Sequence, residues 1–398
     1  MPLIEEAQKA SRILLDHAYV RLVVRDDPDA TCAAALLAHA LRRENVDFHA
    51  SWARRLDAPA IAALAEERPD CVVLVGLSDD AAAADVGSPQ RIVLDAAPPT
   101  LHGEAVVHDD AALASLAHLV AAAISRRNLD LAPLAVAGAL ASWRHVGGLR
   151  GLDAEVLQEA LDARVMLREA ALALHGSSLL AALSQIDAPF IAGVTGRARN
   201  AKKLLADLAL PPEAPPESLT ETTAERVGSF LALRLLQQDA PDAALDALFR
   251  PSLRGLQGPY TGTECGEMAR IAEAACAAGR CGLGFAALWP DAAAASEAAE
   301  VAAQFREEVV AALLRAERDA KREGRLFVAE APRPALCAPL ADRLALSLAP
   351  PGSLTVVHAQ DGERTFLATR AWGADGQRAR LWAPDAGRAV KTLAEAIA

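Results

Sequence analysis

The chain has 398 residues, of which 53% are hydrophobic and 23% are charged. This length and composition fit a globular protein of roughly two or three domains and exclude a disordered or fibrous chain. The 52 acidic residues outnumber the 40 basic ones, which gives a formal net charge of −12 at pH 7. Nonspecific binding to nucleic acid or acidic lipid is therefore not expected, and a contact with DNA would need a local basic groove.

Cysteine spacing and hydropathy indicate the cellular compartment in which the protein is expected. The six cysteines are scattered and form no CxxC pair, so we expect neither a disulfide framework nor a structural zinc site, and a reducing compartment is the default. No apolar run reaches the roughly 18–20 residues of a membrane span. The N-terminus, with Glu5, Glu6 and Lys9 on a helical pattern, does not have the pattern of a signal peptide. We expect a cytoplasmic protein without a membrane contact.

Short β-rich runs alternate with helical patterns in the first third of the chain. Strands are predicted at 19–25, 47–53, 71–75, 91–94 and 105–107. Helices are predicted over 31–43 and 59–67. This alternation implies right-handed crossovers and a mostly parallel sheet covered on both faces. Ligands of such sheets bind beyond the carboxyl ends of the strands, so any chemistry is expected just after Val24, Val75 and Leu94.

Helical patterns dominate after about residue 110. Helices are predicted at 111–126, 133–145, 154–174, 223–249, 264–278 and 293–323, and strand-like runs return at 326–328, 354–357 and 365–368. The proline-rich stretch 210–217 cannot continue a helix and is typical of a stiff linker. The predicted fold class is α/β, with a mostly parallel sheet domain over 1–205, a helical connector over 206–322 and a smaller C-terminal α/β domain over 323–398.

Two of the turns that follow predicted strands carry carboxylates. Asp27 and Asp29 stand two residues apart after the first strand, an arrangement that often binds a hard divalent cation. The structural alternative is that they are turn and capping residues, because Asp29 precedes a predicted helix and Asp-Pro-Asp favours turns. Asp95 follows the fourth strand, where a lone aspartate is usually structural as well.

Five segments, in order, resemble motifs of the DHH phosphoesterases and of the archaeal RecJ-like group among them. Residues 23–30 are similar to a strand followed by His-x-Asp-x-Asp-Gly/Ala, and residues 92–98 to the Asp-His-His motif at a later strand end. Residues 130–143 resemble a helix that ends in Gly-Asp. Residues 189–196 and 264–280 resemble two further archaeal RecJ-type segments. The resemblance implies a DHH domain and a C-terminal DHH-associated domain.

Family members hold two Mn²⁺ or Mg²⁺ ions, and the resemblance places several ligand positions on unsuitable residues. The lost positions are Arg25 in place of a histidine, Gly76 in place of the middle aspartate, Ala96 in place of the first histidine of Asp-His-His, and Ser142 in place of the aspartate of Gly-Asp. The acidic matches that remain are Asp27, Asp29 and Asp95. The Gly-Gly-Gly-His signature of the DHH-associated domain has no equivalent around residues 372–376.

These losses predict a pocket without metal. Two neighbouring divalent ions need several anionic or imidazole ligands, one of them bridging. Arg25 would place a permanent charge where an imidazole should bind, and its repulsion from a dication at about 4 Å amounts to roughly 8 kcal/mol at an effective dielectric near 20. We therefore predict that Arg25 pairs with Asp27 or Asp95, with no catalytic residue and no cofactor. Asp79 and Asp80 are the alternative source of ligands.

The clearest local basic cluster consists of Arg197, Arg199, Lys202 and Lys203. Its expected role is a solvated loop and helix face. The functional alternative is a contact with phosphate.

Taken together, the resemblance implies a non-catalytic, nucleoid-associated RecJ-like subunit that binds the GINS complex and, through it, the MCM helicase in DNA replication. The alternative is an enzyme, a Mn²⁺-dependent 5′–3′ single-stranded DNA exonuclease or small-nucleotide phosphodiesterase, that uses Asp27, Asp29 and Asp95 with Mn²⁺ or Mg²⁺. A third possibility is a single-stranded DNA guide without a partner, which the acidic pI of about 5.3 disfavours.

Overall fold

The computed structural model describes residues 2–77, 90–98, 103–289, 291–371 and 378–383. Asp79 and Asp80, and the stretch 372–376, lie outside these described residues. The chain divides into two compact units, each made of two separate stretches. The first unit comprises Met1–Glu169 and Ser252–Ala302, and the second comprises Ala170–Pro251 and Ala303–Ala398. The continuous segments 1–205, 206–322 and 323–398 stay a prediction about domains.

Strands form one sheet in each unit and a small pair in the first. In chain order they are β1 (Tyr19–Arg25), β2 (Asp47–Ala53), β3 (Cys71–Val75), β4 (Gln90–Asp95), β5 (Ala105–His108), β6 (Met166–Glu169), β7 (Ser252–Gly255), β8 (Lys321–Glu323), β9 (Leu326–Glu330), β10 (Leu354–Asp361), β11 (Arg364–Arg370) and β12 (Arg378–Ala383).

Helices flank these strands. In chain order they are α1 (Pro2–Leu15), α2 (Pro28–Arg43), α3 (Ala58–Glu67), α4 (Leu113–Ile124), α5 (Ala132–Ala141), α6 (Gly151–Asp162), α7 (Leu179–Ser184), α8 (Ala198–Asp207), α9 (Glu221–Gln237), α10 (Asp242–Leu248), α11 (Cys265–Ala277), α12 (Cys281–Leu288), α13 (Ala292–Asp319) and α14 (Cys337–Ser347). Among the described residues, none of these helices combines the length and apolarity that crossing a bilayer requires.

The main sheet of the first unit is fully parallel, with strand order β2-β1-β3-β4-β5. The strand order reverses between β1 and β3, and such a reversal opens a crevice beyond the carboxyl ends of those strands. Every residue of β3 is buried, as expected for a central strand covered on both faces. The predicted α/β class with a mostly parallel sheet is confirmed.

Alanine-rich helices form most of the core beneath this sheet. Helix α5 is buried along its whole length, and α2 is buried from Asp29 to Leu41. Small side chains let helix axes approach closely, and Gly138 of α5 shows this most clearly. A Cβ at Gly138 would collide with the Cβ of Ala114 on α4 and would lie 2.6 Å from Oδ1 of Asp29. The helices therefore meet directly behind the edge where β1 ends.

The second unit contains a mixed sheet in the order β12-β11-β10-β9-β8. Strands β9 and β10 are parallel, and the remaining pairs are antiparallel. Helix α14 is buried along its length and packs against β10 and β11. The strand-like runs predicted at 326–328, 354–357 and 365–368 all form strands of this sheet.

Four helix predictions are wrong in their extent. The helix predicted over 133–145 stops at Ala141. The helix predicted over 154–174 stops at Asp162, and the chain then forms β6, which pairs with β7 from a distant part of the sequence. The helix predicted over 223–249 is broken into α9 and α10 at Asp239, which has φ of 54°, and Pro241. The helix predicted to run to 323 stops at Asp319, because 321–323 form β8 against β9.

Candidate functional site

The candidate site lies where β1, β3 and β4 end. The parallel register pairs Val24 with Val75 and Val75 with Leu94, and the backbone N–H of Gly76 donates to the carbonyl of Leu94 at 2.8 Å. The residues that follow these positions therefore share one edge of the sheet, as the strand pattern predicts. Arg25 and Gly76 stand at positions that the family resemblance assigns to metal ligands, and Asp95, a remaining acidic match, directly precedes a third such position, Ala96.

Arg25 forms an ion pair with Asp27 within this edge. Its Nε donates to Oδ2 of Asp27, and its Nη1 donates to the carbonyl of Gly76 at 3.1 Å. The Asp27 side chain is only 7% exposed, whereas that of Arg25 is 37% exposed. Attraction to Asp27 is the largest influence on the guanidinium and raises the pKa of Arg25 above its ordinary value. The internal ion pair expected of Arg25 thus forms, with Asp27 as its partner.

Gly76 provides the room that the guanidinium occupies. Its φ is +71°, a left-handed conformation that side chains rarely adopt. A Cβ at this position would lie 3.1 Å from Cζ of Arg25 and 2.8 Å from Cδ1 of Leu113. An aspartate side chain and the Arg25 guanidinium would therefore compete for the same space.

Asp27 also begins the helix that follows it. Its Oδ1 accepts the backbone N–H of Ala30 at 2.8 Å, so that Asp27 caps α2 at its N-terminus. Pro28 at the first helical position favours the same start. Both carboxylate oxygens of Asp27 are engaged in this way, one by the helix and the other by Arg25.

Asp29 is a buried cap for a different helix. Its Oδ2 accepts the N–H of Leu113 at 2.9 Å and its Oδ1 accepts the N–H of Ala114 at 3.0 Å. Ala112, the residue before α4, has no side chain that could cap this helix itself. Burial, followed by repulsion from Asp27, raises the pKa of Asp29 to about 7. The prediction that Asp29 caps the helix following it is wrong, because Asp27 caps α2 and Asp29 lies within α2 and caps α4 instead.

Asp95 and Ser142, two further positions of the family resemblance, make local hydrogen bonds, and a third, Ala96, has no polar side chain. Asp95 is 3% exposed, and its Oδ1 accepts the N–H of Ala97 at 3.1 Å across the turn. Ser142 follows α5, and its hydroxyl donates to the carbonyl of Gly138 at 2.9 Å. Ala96 is half-buried and offers no ligand atom on its side chain.

This donor set does not fit a pair of divalent ions. Two ions would need several ligands free to turn towards them and a bridging group. Here Asp29 faces the N-terminus of α4, Asp27 binds both Arg25 and α2, and Gly76 supplies no bridge. Arg25 adds a fixed positive charge in contact with the carboxylate that would have to bind metal.

The predicted basic cluster lies at the start of α8, in the second unit. Arg197, Arg199, Lys202 and Lys203 are all exposed. Arg197 pairs with Glu317 at 3.3 Å. The spacing of the other three places them on one face of the helix. A contact between this face and phosphate stays a prediction.

Sequence reasoning missed a second cluster near the edge of the sheet, formed by Asp26, Cys276 and Cys281. Their ligand atoms all lie within 4.8 Å of one another. The spacing Cys-x₄-Cys was visible in the sequence, but Asp26 is some 250 residues away and nothing local links it to the two cysteines.

Comparisons with known proteins bear on the fold. No protein-family model matches the chain, and no curated protein matches it. Among solved structures, CDC45 from Entamoeba histolytica is similar with a TM-score of 0.63 and 11% identity, over 92% of this chain and 88% of that one. RecJ in complex with Mn²⁺ from Thermus thermophilus is similar with a TM-score of 0.58 and 17% identity.

That match covers 99% of this chain but 54% of the Thermus RecJ, so this chain spans about half of that protein's length. An exonuclease RecJ bound to manganese gives a TM-score of 0.50 with 17% identity, over 94% of this chain and 83% of that one. At these identities the likeness concerns the fold. The resemblance inferred from the five sequence segments is confirmed at that level: the chain has the RecJ-like fold shared by RecJ and CDC45.

Proposed function

We propose that this protein is a non-catalytic RecJ-like subunit of a replicative helicase assembly, which binds GINS and through it links to MCM. The observation that carries the proposal is the Arg25 guanidinium, which pairs with Asp27 and lies over Gly76. A pocket of this kind has no place for the dinuclear centre that the family's chemistry requires. We also propose that the protein works without a metal in this pocket and is nucleoid-associated in the cytoplasm.

The buried charges at the sheet edge explain how a protein could keep the fold after losing the metals. A buried carboxylate without a partner is strongly destabilising. Asp27 is balanced by Arg25, and two backbone N–H groups at the N-terminus of α4 offset part of the cost of burying Asp29. Each carboxylate therefore has a structural role that does not depend on catalysis.

The choice of partners rests on the family resemblance. The archaeal RecJ-like group to which the five segments are similar includes GINS-associated, catalytically degenerate proteins. The likeness to CDC45 extends over 92% of this chain and 88% of that one, and so includes both compact units. A protein retained for its surface fits this combination of an extensive fold match and a strand-end edge whose carboxylates are engaged by Arg25 and by helix N-termini.

An exonuclease is the competing function, since RecJ structures with manganese share the fold and three acidic positions persist. A nuclease assay with 5′-labelled single-stranded DNA and a Mn²⁺ titration separates the two. We expect the wild type and Asp27→Ala to show the same background cleavage. Mn²⁺-dependent cleavage that disappears in Asp27→Ala would establish the enzyme and end the non-catalytic proposal.

Partner binding has its own test. We expect tagged wild-type protein to co-purify GINS from native cells, and purified GINS to bind it directly. Asp95→Asn is a suitable pocket control, because the amide oxygen can still accept the N–H of Ala97. It should retain GINS as well as the wild type does. Absence of GINS from both the native and the reconstituted experiment would refute this part of the proposal.

A further inference from the structure

Asp26, Cys276 and Cys281 form a compact group of potential metal ligands in the first unit. The thiol of Cys281 donates to Oδ1 of Asp26 at 2.9 Å and lies 2.9 Å from Sγ of Cys276. The carboxylates that the family resemblance assigns to metal, Asp27 and Asp29, take no part in this group.

The ends of one strand and two helices position these side chains. Asp26 stands in the turn after β1, and its backbone N–H donates to the carbonyl of Ala53 at 2.9 Å. Cys276 lies in the last turn of α11, and Cys281 is the first residue of α12. Gly279, with φ of +69°, reverses the chain between the two cysteines. The turn therefore brings both thiols to the same side, facing Asp26.

We propose that Cys276, Cys281 and Asp26 bind one Zn²⁺ ion, with a fourth position left for water. Two thiolates and a carboxylate suit a borderline-soft ion such as zinc, whereas Mg²⁺ and Mn²⁺ prefer sites built from oxygen. The Cys-x₄-Cys spacing falls within the range of zinc-binding loops. On binding, each thiol gives up its proton to solvent, and the ion replaces the hydrogen bond between Cys281 and Asp26.

The geometry needs only a small adjustment. Tetrahedral zinc with bonds of about 2.3 Å to sulfur separates two sulfurs by roughly 3.8 Å, so the thiols would move apart by about 1 Å. Asp26 and Cys276 are half-buried, which gives an ion a route from solvent. The Thr31 hydroxyl lies 3.4 Å from Sγ of Cys276 and is itself held by Nε1 of Trp52 at 3.1 Å. Such outer contacts orient a ligand before metal arrives.

Cobalt titration of the reduced, chelator-treated full chain tests this site. We expect one Co²⁺ per chain, with the thiolate-to-cobalt charge-transfer absorption of cysteine ligation, and displacement by Zn²⁺. Cys276→Ser and Cys281→Ser should lose this absorption, and Asp26→Asn should weaken binding by about tenfold or more. Cys337→Ala is the matched control, because Cys337 is a buried free cysteine of the second unit, and it should bind as the wild type does.

A second measurement needs no substitution and remains valid if a variant fails to fold. Zn²⁺ should protect Cys276 and Cys281 of the wild type from alkylation, mapped by mass spectrometry, and leave the alkylation of Cys337 unchanged. The proposal is overturned if the reduced wild type takes up no ion with cysteine ligation. It is equally overturned if the two thiols form a disulfide and, once reduced, show no protection by zinc.

Discussion

At the scale of single residues, Arg25 and Gly76 act as a pair. The guanidinium that pairs with Asp27 also donates to the carbonyl of Gly76, and it can do so because no side chain stands at position 76. Arg25 in place of a histidine and Gly76 in place of an aspartate are therefore coupled. The Arg25 side chain fills the space that an aspartate side chain at position 76 would occupy.

Gly76→Ala tests this coupling. The variant must place a Cβ 2.8 Å from Cδ1 of Leu113 and 3.1 Å from Cζ of Arg25 while keeping φ at +71°. We expect a loss of about 2–4 kcal/mol in the free energy of unfolding, from the backbone conformation and from overpacking together. Denaturant unfolding of the purified variant measures it.

Gly262→Ala is the matched control for that experiment. Gly262 has φ of +79°, but a Cβ added there would meet nothing within 4 Å, so the substitution carries the backbone penalty alone. We expect a loss of roughly 1–2 kcal/mol. Equal losses in the two variants would mean that the space above Gly76 is not tightly filled and would contradict the coupling with Arg25.

At the scale of elements, β1 to β5 could be predicted from the sequence, whereas β6 and β8 could not. Strands β1, β3, β4 and β5 are runs of mostly apolar, β-branched residues, and β2 alternates polar and apolar residues, so the pattern of each is local. The sequence of β6 predicts helix, and β6 forms a strand because it pairs with β7, more than 80 residues further on. Strand β8 is a short, exposed run of Lys-Arg-Glu, which carries no local strand pattern. Pairing in the folded chain, not intrinsic preference, decides those two elements.

Contacts between residues far apart in the sequence also limit how much of the candidate site could be predicted. The strand pattern places Arg25, Gly76 and Asp95 at one edge, because parallel strands end together. The contact of Asp29 with the N-terminus of α4 could not be foreseen, since Leu113 and Ala114 are more than 80 residues away and Asp29 looked like a local cap. The position of Asp26 beside two distant cysteines depends in the same way on packing.

The Asp29 cap on α4 makes stability depend on pH. Its pKa is about 7 in the folded chain against 3.8 ordinarily, because burial disfavours the charged form. Between those values the folded state holds a proton that the unfolded state has lost, so this contribution is present below about pH 4 and is lost as pH rises through about 7. The full difference corresponds to about 4 kcal/mol.

Asp29→Asn removes that titration. As pH rises from 4 to 7 the wild type should lose up to about 4 kcal/mol of stability relative to the variant, because only the wild type has a carboxyl group that releases its proton more readily in the unfolded state. Denaturant unfolding of both proteins across this pH range measures the change. A constant gap between wild type and Asp29→Asn would contradict the prediction.

At the scale of the whole molecule, we propose a separation between the fold, which is kept, and the family's pocket chemistry, which is not. The likeness to RecJ covers 99% of this chain, while the strand-end edge carries an ion pair and two helix caps. Fold alone does not fix function, so the residues at that edge decide between nuclease and structural subunit. These residues are few enough to be substituted together in one variant.

Restoring the family's ligand pattern is the direct test of that separation. The change combines Arg25→His, Gly76→Asp, Ala96→His and Ser142→Asp, and we expect the quadruple variant to bind Mn²⁺ in calorimetry more strongly than any single variant. Gly76→Asp alone should bind poorly, because its side chain meets the Arg25 guanidinium, and Arg25→His relieves that clash. The two substitutions should therefore show a favourable coupling in a double-mutant cycle. Equal Mn²⁺ binding by one single variant and the quadruple variant would refute the assignment of these four positions.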